Sequence, residues 1–226
     1  MNDTAPFHPQ ARNSVAGAAG SSIGVLLHSP RLYDMFLELA LLGRAPRFRE
    51  QLLGLAELRP GETILDVGCG TGSLAMLARK AVGPAGIACG VDASPEMIAW
   101  ARRKAERAGV EVSLQRASAQ ALPFPDAHFD AVLSTLMLHH LSGKARTQLV
   151  HEARRVLKPG GRVLIVDFAA ASPRKGLMRH LRHRHGNVPL AQILTLLEGA
   201  GLAIAASGPV GIKNVHYALA RVPAAS

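Results

Sequence analysis

The chain has 226 residues, of which 48% are hydrophobic and 4% are aromatic, and its formal net charge is +10. That length suits one well-packed core, and two cysteines, Cys69 and Cys89, exclude a disulfide scaffold or a cysteine-rich zinc site. The positive charge favours anionic partners, but an arginine-rich proteome also gives it to ordinary enzymes. No uncharged run is long enough to span a bilayer, and no signal core follows the first residues, so we expect a soluble, cytoplasmic protein.

The N-terminal part divides into an arm and a cap. Residues 1–28 are rich in Ala, Gly, Ser and Pro without periodicity, which predicts a flexible arm that is a candidate lid. Apolar spacing from Arg31 to Leu42 predicts an amphipathic helix, and a second helix follows over residues 46–55. We place these cap helices in residues 29–59 and a core domain in residues 60–226.

Strands and helices then alternate along the core. Predicted strands cover residues 64–67, 86–91, 111–116, 129–134, 162–168, 202–206 and 215–221. One predicted helix begins after the glycines, at residue 73, and others cover residues 95–108, 144–157 and 188–200. Ser94 is the predicted N-cap of the helix over 95–108, and Lys158-Pro159-Gly160-Gly161 is predicted to close the helix over 144–157. Such repeats predict an α/β fold of the Rossmann-like type, with a mostly parallel sheet between helices and ligands bound outside the carboxyl ends of the strands.

The stretch Ile64–Ala75 (ILDVGCGTGSLA) is the central motif. An apolar strand runs into three alternating glycines, and a helix begins directly after them. Glycines permit a tight turn and close approach of a ligand, while the helix N-terminus offers unpaired N–H groups. A turn that binds nothing is the alternative, so neighbouring residues must decide.

Asp92 ends the second predicted strand, twenty residues after Gly72. A carboxylate there can accept both hydroxyls of a ribose, which favours a nucleoside-containing cofactor over an ordinary exposed carboxylate. The glycines and Ala75 also satisfy the dinucleotide fingerprint, so NAD or FAD remains open on these residues alone.

Four blocks in order resemble the class I S-adenosylmethionine-dependent methyltransferases, and most of all their small-molecule branch that includes the ubiquinone/menaquinone biosynthesis C-methyltransferases. They cover residues 64–72 (ILDVGCGTG), 90–97 (GVDASPEM), 121–125 (ALPFP) with Phe129-Asp130, and 157–161 (LKPGG). The resemblance spans about residues 60–170. It implies a seven-stranded sheet whose last strand is inserted antiparallel, and S-adenosylmethionine as cofactor.

The resemblance also implies cofactor contacts. The glycine loop, with Cys69, would hold the methionine end of the cofactor, Asp66 would orient the loop and the amino group, and Asp92 would bind the ribose. The adenine would lie against apolar neighbours and a later loop, for which the predicted residues are Ala93, Met97, Ser118 and Ala119. One departure concerns Ser118-Ala119-Gln120, which replaces the family's common Asp-Ala-Glu and predicts a weaker adenine contact.

His139 and His140 follow the fourth predicted strand at the same edge of the sheet. Methyl transfer requires alignment of the nucleophile and, where needed, removal of its proton, for which a histidine is suited. We predict that one of them is a general base, the alternative being that they pack or cap the next helix. No Asn/Asp-Pro-Pro-aromatic signature is found here, which counts against methylation of nucleic-acid bases.

The segment Arg174–His185 is basic and contains no acidic residue. It is a candidate contact for an anionic substrate or an anionic membrane surface, with a solvated helix face as the alternative. We single out Arg179 here, and Tyr33 of the first cap helix, as tentative substrate residues. The histidines of this segment lack acidic or cysteine neighbours, so we predict no metal site.

The sequence therefore predicts S-adenosylmethionine-dependent methylation of a small molecule at C, O or N by a monomer or homodimer, without a specific nucleic-acid partner. Two alternatives stay open. An NAD(P)-dependent oxidoreductase would explain the glycines and Asp92 but not the later blocks. A non-catalytic S-adenosylmethionine-binding partner protein would explain all the motifs.

Overall fold

The protein is described by a computed structural model that covers residues 45–168 and 188–224. Its helices are α1 (Ala45–Leu55), α2 (Ser73–Val82), α3 (Pro95–Arg107), α4 (Gly143–Val156) and α5 (Leu190–Gly199). Its strands are β1 (Thr63–Val67), β2 (Ile87–Asp92), β3 (Ser113–Arg116), β4 (Phe129–Thr135), β5 (Leu157–Phe168), β6 (Ala203–Pro209) and β7 (Val215–Arg221). The predicted arm, the first cap helix with Tyr33, and the basic segment with Arg179 lie outside the described residues.

The strands form one seven-stranded sheet in the order β3-β2-β1-β4-β5-β7-β6. Neighbours from β3 to β5 are parallel, whereas β7 lies between β5 and β6 and is antiparallel to both. This confirms the predicted fold and the inserted last strand. Because the order reverses at β1, the carboxyl ends of β1, β2 and β4 meet where ligands of such sheets bind.

Side chains of the central strands alternate between the two faces of the sheet, and helices cover both faces. On one face, residues such as Leu65, Val132 and Ile165 pack against α4 and α5. On the other face, Ile64 and Leu133 pack against α1 and α2, and α3 covers the β3 end of this face. Burial on both faces explains why these strands are nearly continuous apolar runs in the sequence.

One predicted boundary is wrong. The Lys158-Pro159-Gly160-Gly161 block was expected to close α4, with the fifth strand starting at residue 162. Instead β5 begins at Leu157, which pairs with Phe129, and the register shifts before Arg162 pairs with Ala131. The four residues are thus an irregularity within the strand, with φ of +74° at Gly160.

Two of the sequence blocks stabilise the amino edge of the sheet, opposite the expected site. Lys158 Nζ donates to Asp130 at 2.8 Å, and Asp130 also accepts the first amide of β1, Thr63 N–H, at 2.8 Å. The Leu-Pro-Phe segment is held by Arg155, which donates to the carbonyls of Leu122 and Phe124 at 3.0 and 2.8 Å. These blocks therefore identify the fold more than the chemistry of the site.

Within the described residues, no helix is long and apolar enough to cross a membrane.

Candidate active site

The glycine loop folds back onto the end of β2. The amides of Gly68 and Cys69 both donate to the Val91 carbonyl, at 2.8 and 2.9 Å, and the Gly70 amide donates to Asp92 Oδ2 at 2.9 Å. Gly68, Gly70 and Gly72 have φ values of +76°, +53° and +75°, which residues with a Cβ rarely adopt. The predicted tight glycine turn is thus present, and the structure adds that it is hydrogen-bonded to the end of β2 and to Asp92.

Two glycines of the loop also lack room for a side chain. A Cβ on Gly68 would lie 2.5 Å from Met137 Cγ, and one on Gly72 would lie 2.9 Å from Ala101 Cβ on α3. The loop is therefore packed between the segment after β4 and α3, and its backbone faces the cleft at close range.

Asp92 organises the carboxyl end of β2. Its Oδ1 accepts the Ser94 amide at 2.9 Å, and Ser94 Oγ caps α3 by accepting the Met97 amide at 3.2 Å, as predicted for that helix start. Burial raises the pKa of Asp92, while hydrogen bonds from the amides of Ser94, Gly70 and Ala93 oppose that rise. Three amides use three of the roughly four acceptor positions of the carboxylate, so one position stays open to a ligand hydroxyl.

Asp66 is almost fully buried in β1 and lines the same cleft, with Gly68, Cys69 and Thr135. The Asp66 carboxylate accepts a hydrogen bond from the Ala75 amide of α2. Its Oδ1 is buried without a hydrogen-bond partner in the described structure. Burial, and then repulsion from Asp92, raise the pKa of Asp66 to about 7 against the Ala75 hydrogen bond. A buried acceptor without a partner fits a cationic donor such as a ligand ammonium group.

The Asp66 pKa predicts a pH dependence of stability. Between pH 3.8, the ordinary pKa of an aspartate, and about pH 7, Asp66 keeps its proton in the folded protein but releases it in the unfolded chain. The contribution of Asp66 to the free energy of unfolding therefore becomes more unfavourable to the folded state as pH rises. Asp66→Asn removes this ionisation, so the variant should gain stability relative to wild type, by on the order of 3 kcal/mol between about pH 4.5 and about pH 7. Urea unfolding of both proteins across this range measures the difference. A difference that does not change with pH would contradict the assignment.

The predicted adenine residues fall on two segments next to Asp92. Ala93 is half-buried and Met97 is buried in the first turn of α3. The Ala117 amide donates to the Asp92 carbonyl at 3.0 Å, which brings the following Ser118 and Ala119 to the end of β2. Ser118 is exposed, and its hydroxyl donates to Gln120 Oε1 at 2.8 Å and accepts the Gln120 amide at 3.2 Å. Its cofactor role remains a prediction, with its hydroxyl engaged in a local turn.

The two histidines after β4 lie on a short 3₁₀ turn, Leu138–His140. His139 Nδ1 lies 2.7 Å from Asp167 Oδ1, and the His139 amide donates to Asp167 Oδ2 at 3.1 Å. The Phe168 amide also donates to Asp167, at 2.6 Å. The His140 ring lies beside His139, with 3.9 Å between ring centroids.

The geometry fixes how His139 can act. A carboxylate only accepts, so the proton of neutral His139 is on Nδ1 and its Nε2 presents a lone pair. The His139 side chain is 12% exposed, whereas Asp167 is fully buried. An imidazole held by a buried carboxylate is a suitable proton acceptor.

Asp167 was missed in the sequence, although a signal existed. Asp167 directly follows the apolar run Val163–Val166, just as Asp92 directly follows the apolar residues of β2. A polar residue at the carboxyl end of a buried parallel strand is a candidate for the site in either place.

Comparisons with known proteins indicate the kind of domain that carries these residues. Residues 64–161 match a family model described as "Methyltransferase domain". The chain is 39% identical over 140 residues to demethylmenaquinone methyltransferase of Thermus thermophilus, covering 62% of each protein. It is 33% identical over 154 residues to a ubiquinone/menaquinone biosynthesis C-methyltransferase of Bordetella avium, covering 68% of this chain and 59% of that one. The chain thus spans about three fifths of the length of these curated relatives.

Among solved structures, a SAM-dependent methyltransferase from Aquifex aeolicus has the same fold. The TM-score is 0.70 at 24% identity, with 87% of this chain and 100% of that chain covered. Residues 64–161 therefore match a methyltransferase domain, and this domain together with the fold implies S-adenosylmethionine as the cofactor. In sequence the chain resembles the ubiquinone/menaquinone biosynthesis C-methyltransferases. None of these findings supports an oxidoreductase or a non-catalytic binding protein.

Proposed function

We propose that the protein transfers a methyl group from S-adenosylmethionine to a small molecule, with His139 as the general base. The observation that carries the proposal is the position of two features at one sheet edge. The glycine loop, Asp66 and Asp92 lie at the carboxyl ends of β1 and β2. The His139–Asp167 pair lies at the carboxyl ends of β4 and β5. A donor site and a proton-accepting site beside it are what methyl transfer to a weakly acidic group needs.

The residues present fit the cofactor. Asp66 offers a buried acceptor without a partner, and the glycine loop presents its backbone to the cleft. Gly68, Cys69, Gly70 and Gly72 would hold the methionine end. Asp92 would bind the ribose, and the segments containing Met97 and Ser118 would flank the adenine. When bound, S-adenosylmethionine supplies a methyl group on a positively charged sulfur, so little activation of the leaving group is required of the protein.

The protein's own chemistry is then proton removal from the acceptor. His139 Nε2 takes the proton as the acceptor becomes nucleophilic, and the Asp167 carboxylate stabilises the imidazolium that forms. Asp167 is a positioning residue in this scheme, since it acts through His139. His140, whose ring is against His139, supports the orientation of that imidazole.

The acceptor is proposed to be a small, apolar or anionic molecule. The relatives are demethylmenaquinone and ubiquinone/menaquinone biosynthesis methyltransferases, and their names support an acceptor related to quinones. Contacts from Tyr33 and Arg179, an anionic surface as partner of residues 174–185, a cytoplasmic location and a monomeric or homodimeric state belong to the same proposal.

A transfer assay tests the activity. Purified protein is incubated with methyl-labelled S-adenosylmethionine and a cell extract, and labelled products are identified by mass. We expect label in a small molecule, and none with heat-denatured protein. Binding of the cofactor without transfer to any fraction, including lipid extracts and demethylated quinones, would instead favour a non-catalytic role.

A further inference from the structure

The cleft beside the glycine loop has a further wall that no sequence motif indicated. It comes from α1, whose Phe48, Arg49 and Leu52 line the cleft together with Asp66 and the loop. Phe48 and Leu52 are buried in the core on this face of the sheet, which fixes the position of the helix. Arg49 is half-buried on the same stretch of α1, so its side chain is held at the cleft.

Arg49 and Asp66 give the cleft one basic and one acidic side chain. Among the described residues that line it, Arg49 is the only cation and Asp66 the only carboxylate. The two do not pair with each other. Asp66 Oδ1 has no hydrogen-bond partner in the described structure, and burial and then Asp92 raise the pKa of Asp66, which a paired guanidinium would lower. Separate acidic and basic groups suit a ligand end that carries both an ammonium and a carboxylate.

A second cation lies behind the cleft and is the alternative partner for a carboxylate. Lys104 Nζ of α3 donates to Ser73 Oγ at 2.6 Å, and Ser73 lines the cleft with Thr71. The structure thus places Ser73 between the Lys104 ammonium and the cleft. Arg49 lines the cleft itself, and its planar guanidinium can donate two parallel hydrogen bonds to a carboxylate.

We propose that Arg49 binds the carboxylate at the methionine end of the cofactor, while Asp66 accepts the ammonium group of the same end. The inference rests on the proposed cofactor contacts of the glycine loop and Asp66. It makes Arg49 a specificity residue, through which the protein distinguishes S-adenosylmethionine from adenosyl compounds that lack the amino-acid carboxylate.

The test compares S-adenosylmethionine with its decarboxylated analogue, which keeps the ammonium and sulfonium groups and lacks only the carboxylate. Calorimetric titration of the full chain measures the dissociation constant of each ligand. Wild type should bind S-adenosylmethionine about 10- to 150-fold more tightly than the analogue, the range expected for hydrogen bonds between charged groups. Arg49→Gln should lose most of this preference, because S-adenosylmethionine binds more weakly while the affinity for the analogue stays unchanged.

Three further variants separate charge, geometry and position. Arg49→Lys keeps the charge but lacks the planar fork, so its preference should lie between those of wild type and Arg49→Gln. Arg47→Gln removes an exposed cation of α1 that does not line the cleft, and it should leave both affinities unchanged. Lys104→Gln removes the alternative cation and should retain most of the wild-type preference.

Equal affinity of wild type for the two ligands would overturn the inference without any variant, so a variant that fails to fold does not remove the test. A folded Arg49→Gln that loses both ligands equally would leave Arg49 a structural role only. A wild-type preference kept in Arg49→Gln, or lost in Lys104→Gln alone, would also overturn the inference. None of these results changes the outcome of the transfer assay with wild type, which tests the proposed function separately.

Discussion

Replacing His139 with Ala should lower kcat by about 10²- to 10⁴-fold, the usual contribution of a general base, once an acceptor is in hand. Cofactor affinity should stay near that of wild type, because the recorded side-chain contacts of His139 are with Asp167, His140 and Phe168 and not with the glycine loop. Steady-state kinetics measures kcat, and calorimetry measures the dissociation constant of S-adenosylhomocysteine.

His151→Ala is the matched control, since His151 lies on the exposed side of α4, away from the cleft. It should leave kcat unchanged. His140→Ala should cost less than His139→Ala because the Asp167 hydrogen bond belongs to His139. A variant lacking His139 that turns over at the wild-type rate would remove it as the base, and a larger loss at His140 would transfer the role to that residue.

Asp92→Ala should weaken S-adenosylhomocysteine binding by about 10- to 150-fold, since the proposed hydrogen bond from a ribose hydroxyl to this charged group would contribute about 1.5–3 kcal/mol. A second cause adds to the first. The substitution also deprives the Gly70 and Ser94 amides of their acceptor, so the glycine loop loses its link to β2.

Asp92→Asn separates the two causes, because its amide oxygen can still accept one of these N–H groups. It should bind more tightly than the Ala variant and more weakly than wild type. Asp126→Ala is the control for loss of a carboxylate: its side chain is 77% exposed and pairs with Arg155 far from the loop. An Asp92→Ala variant that stays folded with wild-type affinity would exclude Asp92 from the cofactor site.

The donor side of the site could be predicted from the sequence because its determinants are local. The apolar strand with its three glycines is one contiguous signal, and the carboxylate at the end of the next strand is a second. The hydrogen bonds from the Gly70 and Ser94 amides to Asp92, which link the two, were seen only in the structure. The helix start at Ser94 is likewise a local capping signal that the structure reproduces.

The proton-accepting side could be predicted only in part. His139 and His140 were visible as a pair, but no local signal distinguishes them, because the choice depends on Asp167, 28 residues further along the chain. The start of β5 was predicted at residue 162, five residues after its observed start at Leu157, because a Pro-Gly-Gly run usually separates two elements, whereas here it lies within the strand.

The central claim is that the glycine loop, Asp66 and Asp92 together form a binding site for S-adenosylmethionine. Calorimetric titration of the wild-type protein with S-adenosylmethionine, S-adenosylhomocysteine and NADH tests it most directly. We expect one site for each of the first two ligands and no heat of binding with NADH. The reason is that residues 64–161 match a methyltransferase domain and the fold is that of a SAM-dependent methyltransferase. Binding of NADH as tight as that of S-adenosylhomocysteine would contradict the claim.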